Sequence, residues 1–175
     1  MSTSSYTGTF GSIYVPASLV DAYKSATNWT IYKDRITAML PLYIVESIEG
    51  ADYTFILNDN NYYESNNKGE NNSFAICKVN IDAPSQCTMI VDCINYAESN
   101  FDYGILSVLD TELTLSSTAD SNTNCAMIFK GKSMDSVQSV TYTVPEGEHF
   151  IYIKFIKDVS QHSNNDSLQF TIRFN

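Results

Sequence analysis

Basic charge is the scarcest resource in this chain of 175 residues: ten Lys and Arg stand against twenty Asp and Glu, for a net charge of −10. A nucleic acid partner needs a basic patch for counterion release, so that class is excluded. Histidine occurs twice and tryptophan once. The four cysteines form no CxxC and no Cys/His spacing of a zinc site. No apolar run approaches the roughly 20 residues of a membrane-spanning helix, so no membrane insertion is expected. Met1 to Gly11 is rich in Ser and Thr and lacks a basic start and an apolar core, so no signal peptide is expected. Catalytic motifs are missing as well. No GxSxG nucleophile elbow is present. His149 stands beside Glu148 at a strand start, and His162 lies in a polar loop. Asp92, Glu98 and Asp102 are close in sequence, as twenty acids would place some by chance. A non-enzyme without a cofactor is the expectation.

What the chain does have is a strand pattern. Leu168, Phe170, Ile172 and Phe174 alternate with Gln169, Thr171, Arg173 and Asn175, the period of a strand with one buried face. Phe150 to Lys157 is a second such run. Pro145-Glu146-Gly147-Glu148 precedes it, with proline presetting φ and glycine supplying a positive φ for a tight reversal. Two antiparallel strands and a closing third are expected in this last third. Further strands are expected at Phe74–Ile81, Thr88–Ala97, Gly104–Leu109, Ala126–Lys130 and Val137–Val144. Turn residues separate them at Asp82 to Ser85, Ala119 to Asn122 and Ser163 to Asp166. Seven or eight short strands with polar punctuation indicate a mainly β fold, an antiparallel two-sheet β-sandwich over residues 59–175. Its expected core faces are Val140, Tyr142, Val144; Ile151, Ile153, Phe155; and Leu168, Phe170, Ile172, Phe174. Cys77 shares a face with Ala75, Val79 and Ile81, and Cys125 with Met127 and Phe129. Small buried hydrophobes account for them. Four cysteines also permit three disulfide pairings, and nothing in the spacing chooses one.

Residues 1–58 read differently. Thr7 to Val15 is strand-like, and Pro16 opens a helix carried by Leu19, Ala22, Tyr23 and Ala26. A second short helix follows, with Trp29, Tyr32, Lys33 and Ile36 on one side. Two strand-like runs, Leu42–Ile48 and Tyr53–Leu57, come after Pro41. Asn58 to Ser73 is read as a loop to the main domain. This gives a small N-terminal strand-helix attachment module.

The string Ile13 to Met39 resembles the closing segment of BspA-like leucine-rich repeat proteins. It does so through Tyr14-Val15-Pro16, Leu19 to Lys24, Ala26-Thr27-Asn28-Trp29 and Tyr32. Such segments cover the open end of a solenoid in surface proteins of gut bacteria and in virion proteins of their phages. Val140 to Phe170 resembles jelly-roll modules of carbohydrate-active and adhesive bacterial proteins, matching at Lys157, Asp158, Ser160 and Asp166. Leu168 and Phe170 stand where that pattern often has a tryptophan and a second aspartate. Tyr62 to Asn175 is similar to an uncharacterised domain of gut phage and Firmicute proteins. The resemblances imply, first, a non-enzymatic virion structural or binding protein with other virion proteins as partners, as a homo-oligomer by analogy with fibres. They imply, second, an extracellular carbohydrate-binding or adhesin domain that meets host cell-surface glycans.

Two candidate sites follow from the residues. Tyr62, Tyr63, Tyr96, Phe101 and Tyr103 are aromatics in or beside loops, the flat apolar faces a sugar needs next to polar groups. Asp158 and Asp166, with neighbouring carbonyls, are candidate calcium ligands, because hard cations take oxygen donors.

Overall fold

A computed structural model describes residues 11–97, 101–118, 122–130, 137–159 and 166–175. The chain forms two compact units, Met1–Leu40 and Pro41–Asn175. The division falls after Leu40, not after Asn58, because the two runs following Pro41 are strands of the main sheets.

In the first unit, β1 (Ile13–Val15) pairs in parallel with β2 (Ile36–Ala38), with Ile13 opposite Ile36. The crossover holds a 3-10 turn at Ala17–Leu19, the helix α1 (Val20–Ser25) and a longer 3-10 segment at Thr30–Arg35. Pro16 sits just before the first turn, where its missing N–H goes unused. The sequence places Ile36 on a helix. It starts a strand instead, where β-branched Ile36 and Thr37 suit the extended backbone, and it is buried together with Val15. Trp29 meets Tyr23 edge-on at 5.1 Å and Tyr32 at 6.4 Å.

The second unit is the β-sandwich. Its strands are β3 (Leu42–Ser47), β4 (Phe55–Leu57), β5 (Tyr63–Ser65), β6 (Phe74–Ala83), β7 (Cys87–Tyr96), β8 (Tyr103–Ser107), β9 (Cys125–Lys130), β10 (Gln138–Val144), β11 (Gly147–Ile156) and β12 (Ser167–Phe174). The first sheet has the order β10-β7-β12-β5-β4, and the second β3-β6-β11-β8-β9. Every neighbouring pair in both is antiparallel. The reversal at Pro145–Gly147 therefore differs from the expected hairpin. It carries the chain from β10 in one sheet to β11 in the other, and Gly147 takes φ +116 there, a region closed to other residues without strain. β6 to β7 and β11 to β12 switch sheets in the same way, as a jelly-roll requires.

Inner faces carry one core. Ala75, Cys77, Val79 and Ile81 of β6 and Ile151, Ile153 and Phe155 of β11 meet Met89, Val91 and Cys93 of β7, Val140, Tyr142 and Val144 of β10, and Leu168, Phe170 and Ile172 of β12. The expected core faces all fall here, with Phe174 half-buried at the margin. The stretch 58–73 is not wholly loop. β5 lies within it because Tyr63 stacks on Phe170 across the pair, rings 5.2 Å apart and 18° from parallel. All four cysteines are free, and Cys77 and Cys93 are buried. Burial, with the nearby Asp92 charge second, pushes the Cys93 thiol up to about 12, so it packs rather than reacts. The turns expected at Ala119 to Ser121 and Ser163 to Asn165, and the side chains of Met127 and Phe129, lie outside the described residues.

Candidate functional site

The outer faces of the two sheets differ in what they leave free. On the first sheet the polar side chains consume one another. Glu64 Oε1 accepts from Lys68 Nζ at 2.7 Å, Gln169 Nε2 at 2.7 Å and Ser167 Oγ at 2.9 Å. Asp92 accepts from Arg173 Nε at 2.8 Å and also from Ser139 Oγ. Partial burial raises the Glu64 carboxyl, but the bonds from Lys68, Gln169 and Ser167 outweigh it and leave it below its ordinary 4.5. The bond from Arg173 lowers the Asp92 carboxyl below 3.8, against a smaller rise from burial. Both folded values are depressed, so this stabilisation is fully present above pH 4.5 and is lost as pH falls through the folded values. Native protein should therefore lose melting temperature on acidification below about pH 4.5, and Glu64→Gln should flatten that acid limb in a thermal-shift series.

Half of the second sheet's outer face is covered. Ile76, Ile105, Tyr152 and Ile156 form a second apolar cluster capped by Leu113 from the loop after β8. Lys154, fully buried, holds that loop by donating to the carbonyls of Thr114 at 2.9 Å and Thr118 at 3.2 Å.

Among the described residues no loop covers the other half. There the register of β3, β6 and β11 sets out three cross-strand rows: Leu42, Asp82, Glu148; Ile44, Asn80, Phe150; and Glu46, Lys78, Tyr152. All of these side chains except Glu46 and Tyr152, which lie beyond its end, line a groove of about 520 Å³. Leu42 and Ile44 are 71% and 62% exposed on the edge strand and make its apolar wall. Lys78, Asn80 and Asp82 line the floor at two-residue spacing, a row of about 14 Å, and three strands give a width of about 10 Å. Asn80 Nδ2 donates to Glu46 Oε2 at 2.6 Å, which fixes the amide. The Lys78 ammonium lies 4.5 Å from the centre of the Phe150 ring. Among the described residues Lys78, Asp82 and Glu148 make no side-chain hydrogen bond or ion pair, so their donors and acceptors face solvent.

Asp110 holds the far side of the groove in place. It takes φ +58, and its N–H donates to the Phe150 carbonyl at 2.8 Å. Its Oδ1 accepts the Phe150 N–H at 2.9 Å, and its Oδ2 lies 2.7 Å from His149 Nδ1. His149 is thus tied to a strand-positioning aspartate.

The aromatics expected from sequence are not brought together. Tyr63 packs inward on Phe170. Tyr103 packs on the second cluster, on the outer side of the opposite sheet. Tyr96, 38% exposed, ends β7 on the outer face of the first sheet, while Phe101 is half-exposed just before β8. Tyr62 is half-buried, and its backbone N–H donates to Asn58 Oδ1 at 3.0 Å. The two aspartates expected as calcium ligands lie at one end of the sandwich. Asp166 Oδ2 is 3.4 Å from Lys157 Nζ, and the Asp158 N–H donates to Asp102 Oδ1 at 3.0 Å. No group of three or more His, Cys, Asp or Glu gathers for a metal among the described residues. Glu98, Ser160 and His162 lie outside them. No helix among the described residues is long and apolar enough to cross a membrane.

No family model matches the chain, and no curated protein matches it. Solved structures do. The K3 cleaved adhesin domain of Lys-gingipain from Porphyromonas gingivalis is 9% identical over 76% of this chain and 90% of its own, with a TM-score of 0.43. A low-affinity xylan-binding module from the gut symbiont Roseburia intestinalis is 9% identical over 78% and 96%, with a TM-score of 0.35. A Podospora anserina β-(1,4)-mannanase that carries a carbohydrate-binding module is 16% identical over 75% of this chain and 28% of its own, at 0.33. Likeness at this level assigns neither a ligand nor a site.

Proposed function

We propose that the sandwich is a non-catalytic binding module of a cell-surface or extracellular protein, and that the groove over β3, β6 and β11 takes a carbohydrate chain. The groove itself carries this reading. It combines an apolar wall, an immobilised amide, a half-buried aromatic and unpaired charged groups along about 14 Å, enough for about two or three sugar rings. Sugar hydroxyls need such acceptors and donors, and sugar C–H faces need such walls. Catalysis has no comparable support. Among the described residues Asp92 is engaged by Arg173 and Ser139, and His149 is held by Asp110. Of the two roles that the resemblances imply, assembly into a phage particle has no feature among the described residues that calls for it. The unit Met1–Leu40 then serves attachment.

A glycan array followed by affinity electrophoresis tests the reading. The native chain should be retarded by at least one soluble polysaccharide. Asn80→Ala should weaken that binding at least about tenfold, because loss of a hydrogen-bonding partner in a site leaves the opposing group unpaired. Its melting temperature should stay within a few degrees of native, since Asn80 is on the outer face. A native chain that no glycan retards would sink the proposal.

A further inference from the structure

We infer that the groove selects uncharged glycan chains and rejects acidic ones, an inference that rests on the glycan-binding reading above. Two carboxylates line it, Asp82 and Glu148, against the single ammonium of Lys78. Asp82 and Glu148 stand directly opposite each other on β6 and β11, and both are exposed. Like charges in such a pair destabilise a sheet, and neither has a cationic partner among the described residues. The one ammonium is directed over the Phe150 ring, 4.5 Å from its centre, rather than toward this pair.

A uronate or sulfate laid in the groove would bring a third negative charge beside Asp82 and Glu148. It would also replace a hydroxyl donor, which those carboxylates can use, by an acceptor, which they cannot. The chain as a whole has the same sign, at −10, so the long-range field adds to the local one. Rejection of this kind is specificity by repulsion, built in at a cost to folding. The apolar wall of Leu42 and Ile44 argues for ring faces rather than a cationic chain as the occupant, since a charged group gains nothing against exposed aliphatic carbon.

Affinity electrophoresis of the full chain against mixed-linkage glucan, arabinoxylan and galactomannan, with polygalacturonate as the acidic polymer and chitosan as the cationic one, tests this. At least one neutral polymer should bind at least about tenfold tighter than polygalacturonate at 20 mM NaCl. The gap should narrow at 500 mM, where screening falls to a few ångströms. Asp82→Lys/Glu148→Lys should cut the neutral-to-acidic ratio at least about tenfold, and Asp82→Asn alone should cut it in the same direction by a smaller factor. Polygalacturonate or chitosan binding as tightly as the best neutral polymer would overturn the selectivity while leaving the glycan site standing. An unmoved ratio in both variants would do the same. Failure of every polymer to bind would instead remove the glycan reading beneath it.

Discussion

Phe170→Asp should leave the sandwich without a cooperative unfolding transition and without near-ultraviolet circular dichroism, measured on the full chain. Phe170 is fully buried on β12, at the centre of the first sheet. Its ring stacks on Tyr63 at 5.2 Å and meets Phe55 at 5.3 Å, edge to face. Truncating such a phenylalanine costs about 3–5 kcal/mol in transfer and cavity terms, and the aromatic pairs add about 0.5–1.5 kcal/mol each. An aspartate there adds the penalty of an unpaired polar group in an apolar site. The total is comparable with the roughly 5–15 kcal/mol by which a domain of this size is stable. Phe170→Leu, which keeps the site apolar, should retain a cooperative melt at lower temperature. If Phe170→Asp melts cooperatively near the native temperature, the inner face of β12 has been assigned to the wrong side.

That face was readable in advance because it alternates cleanly. Leu168 to Phe174 puts every second side chain in the core and every other one in water, so period alone fixes the strand and its orientation. β5 has no such signal. Tyr63-Glu64-Ser65 is three residues inside a stretch of Asn, Glu and Gly, and it becomes a strand through the ladder to β12 and the ring of Phe170. Partner choice was hidden for a similar reason. Pro145-Glu146-Gly147 announces a reversal, but a reversal within one sheet and a crossing between two use the same turn residues.

The groove was less legible than the fold, and the reason is geometric. Its side chains come from three segments, 42–44, 78–82 and 148–150, that only the register of the second sheet places side by side. Of the aromatics near loops, Tyr63 and Tyr103 pack against the core and the second cluster. Two local signs were present. Leu42 to Val45 is apolar on both faces, more than an edge strand needs. Lys78, Asn80 and Asp82 alternate with Cys77, Val79 and Ile81, which marks a polar outer row.

Lys157→Met should cost about 3–5 kcal/mol of stability, because it removes the positive charge facing a buried carboxylate. Lys157 follows β11 and is 1% exposed, and Asp166 precedes β12 and is 5% exposed. They meet at 3.4 Å at the end of the sandwich where Asn95, Asp102 and Ser167 are also buried. The backbone fixes Lys157 there independently, since its N–H donates to the Ser73 carbonyl at 2.9 Å. The ammonium therefore places a positive charge beside the Asp166 oxygen. Methionine matches the lysine stem in length, so the variant removes the charge with little change in packing. Asp166→Asn added to Lys157→Met should recover part of the loss, because the uncompensated charge goes with it. Urea melts of the native chain, the single variants and the double variant measure that coupling. A Lys157→Met loss below about 1 kcal/mol would mean that the ammonium is not the counterion of Asp166. A double variant no more stable than Lys157→Met would mean that Asp166 contributes through its other bonds and not through its charge.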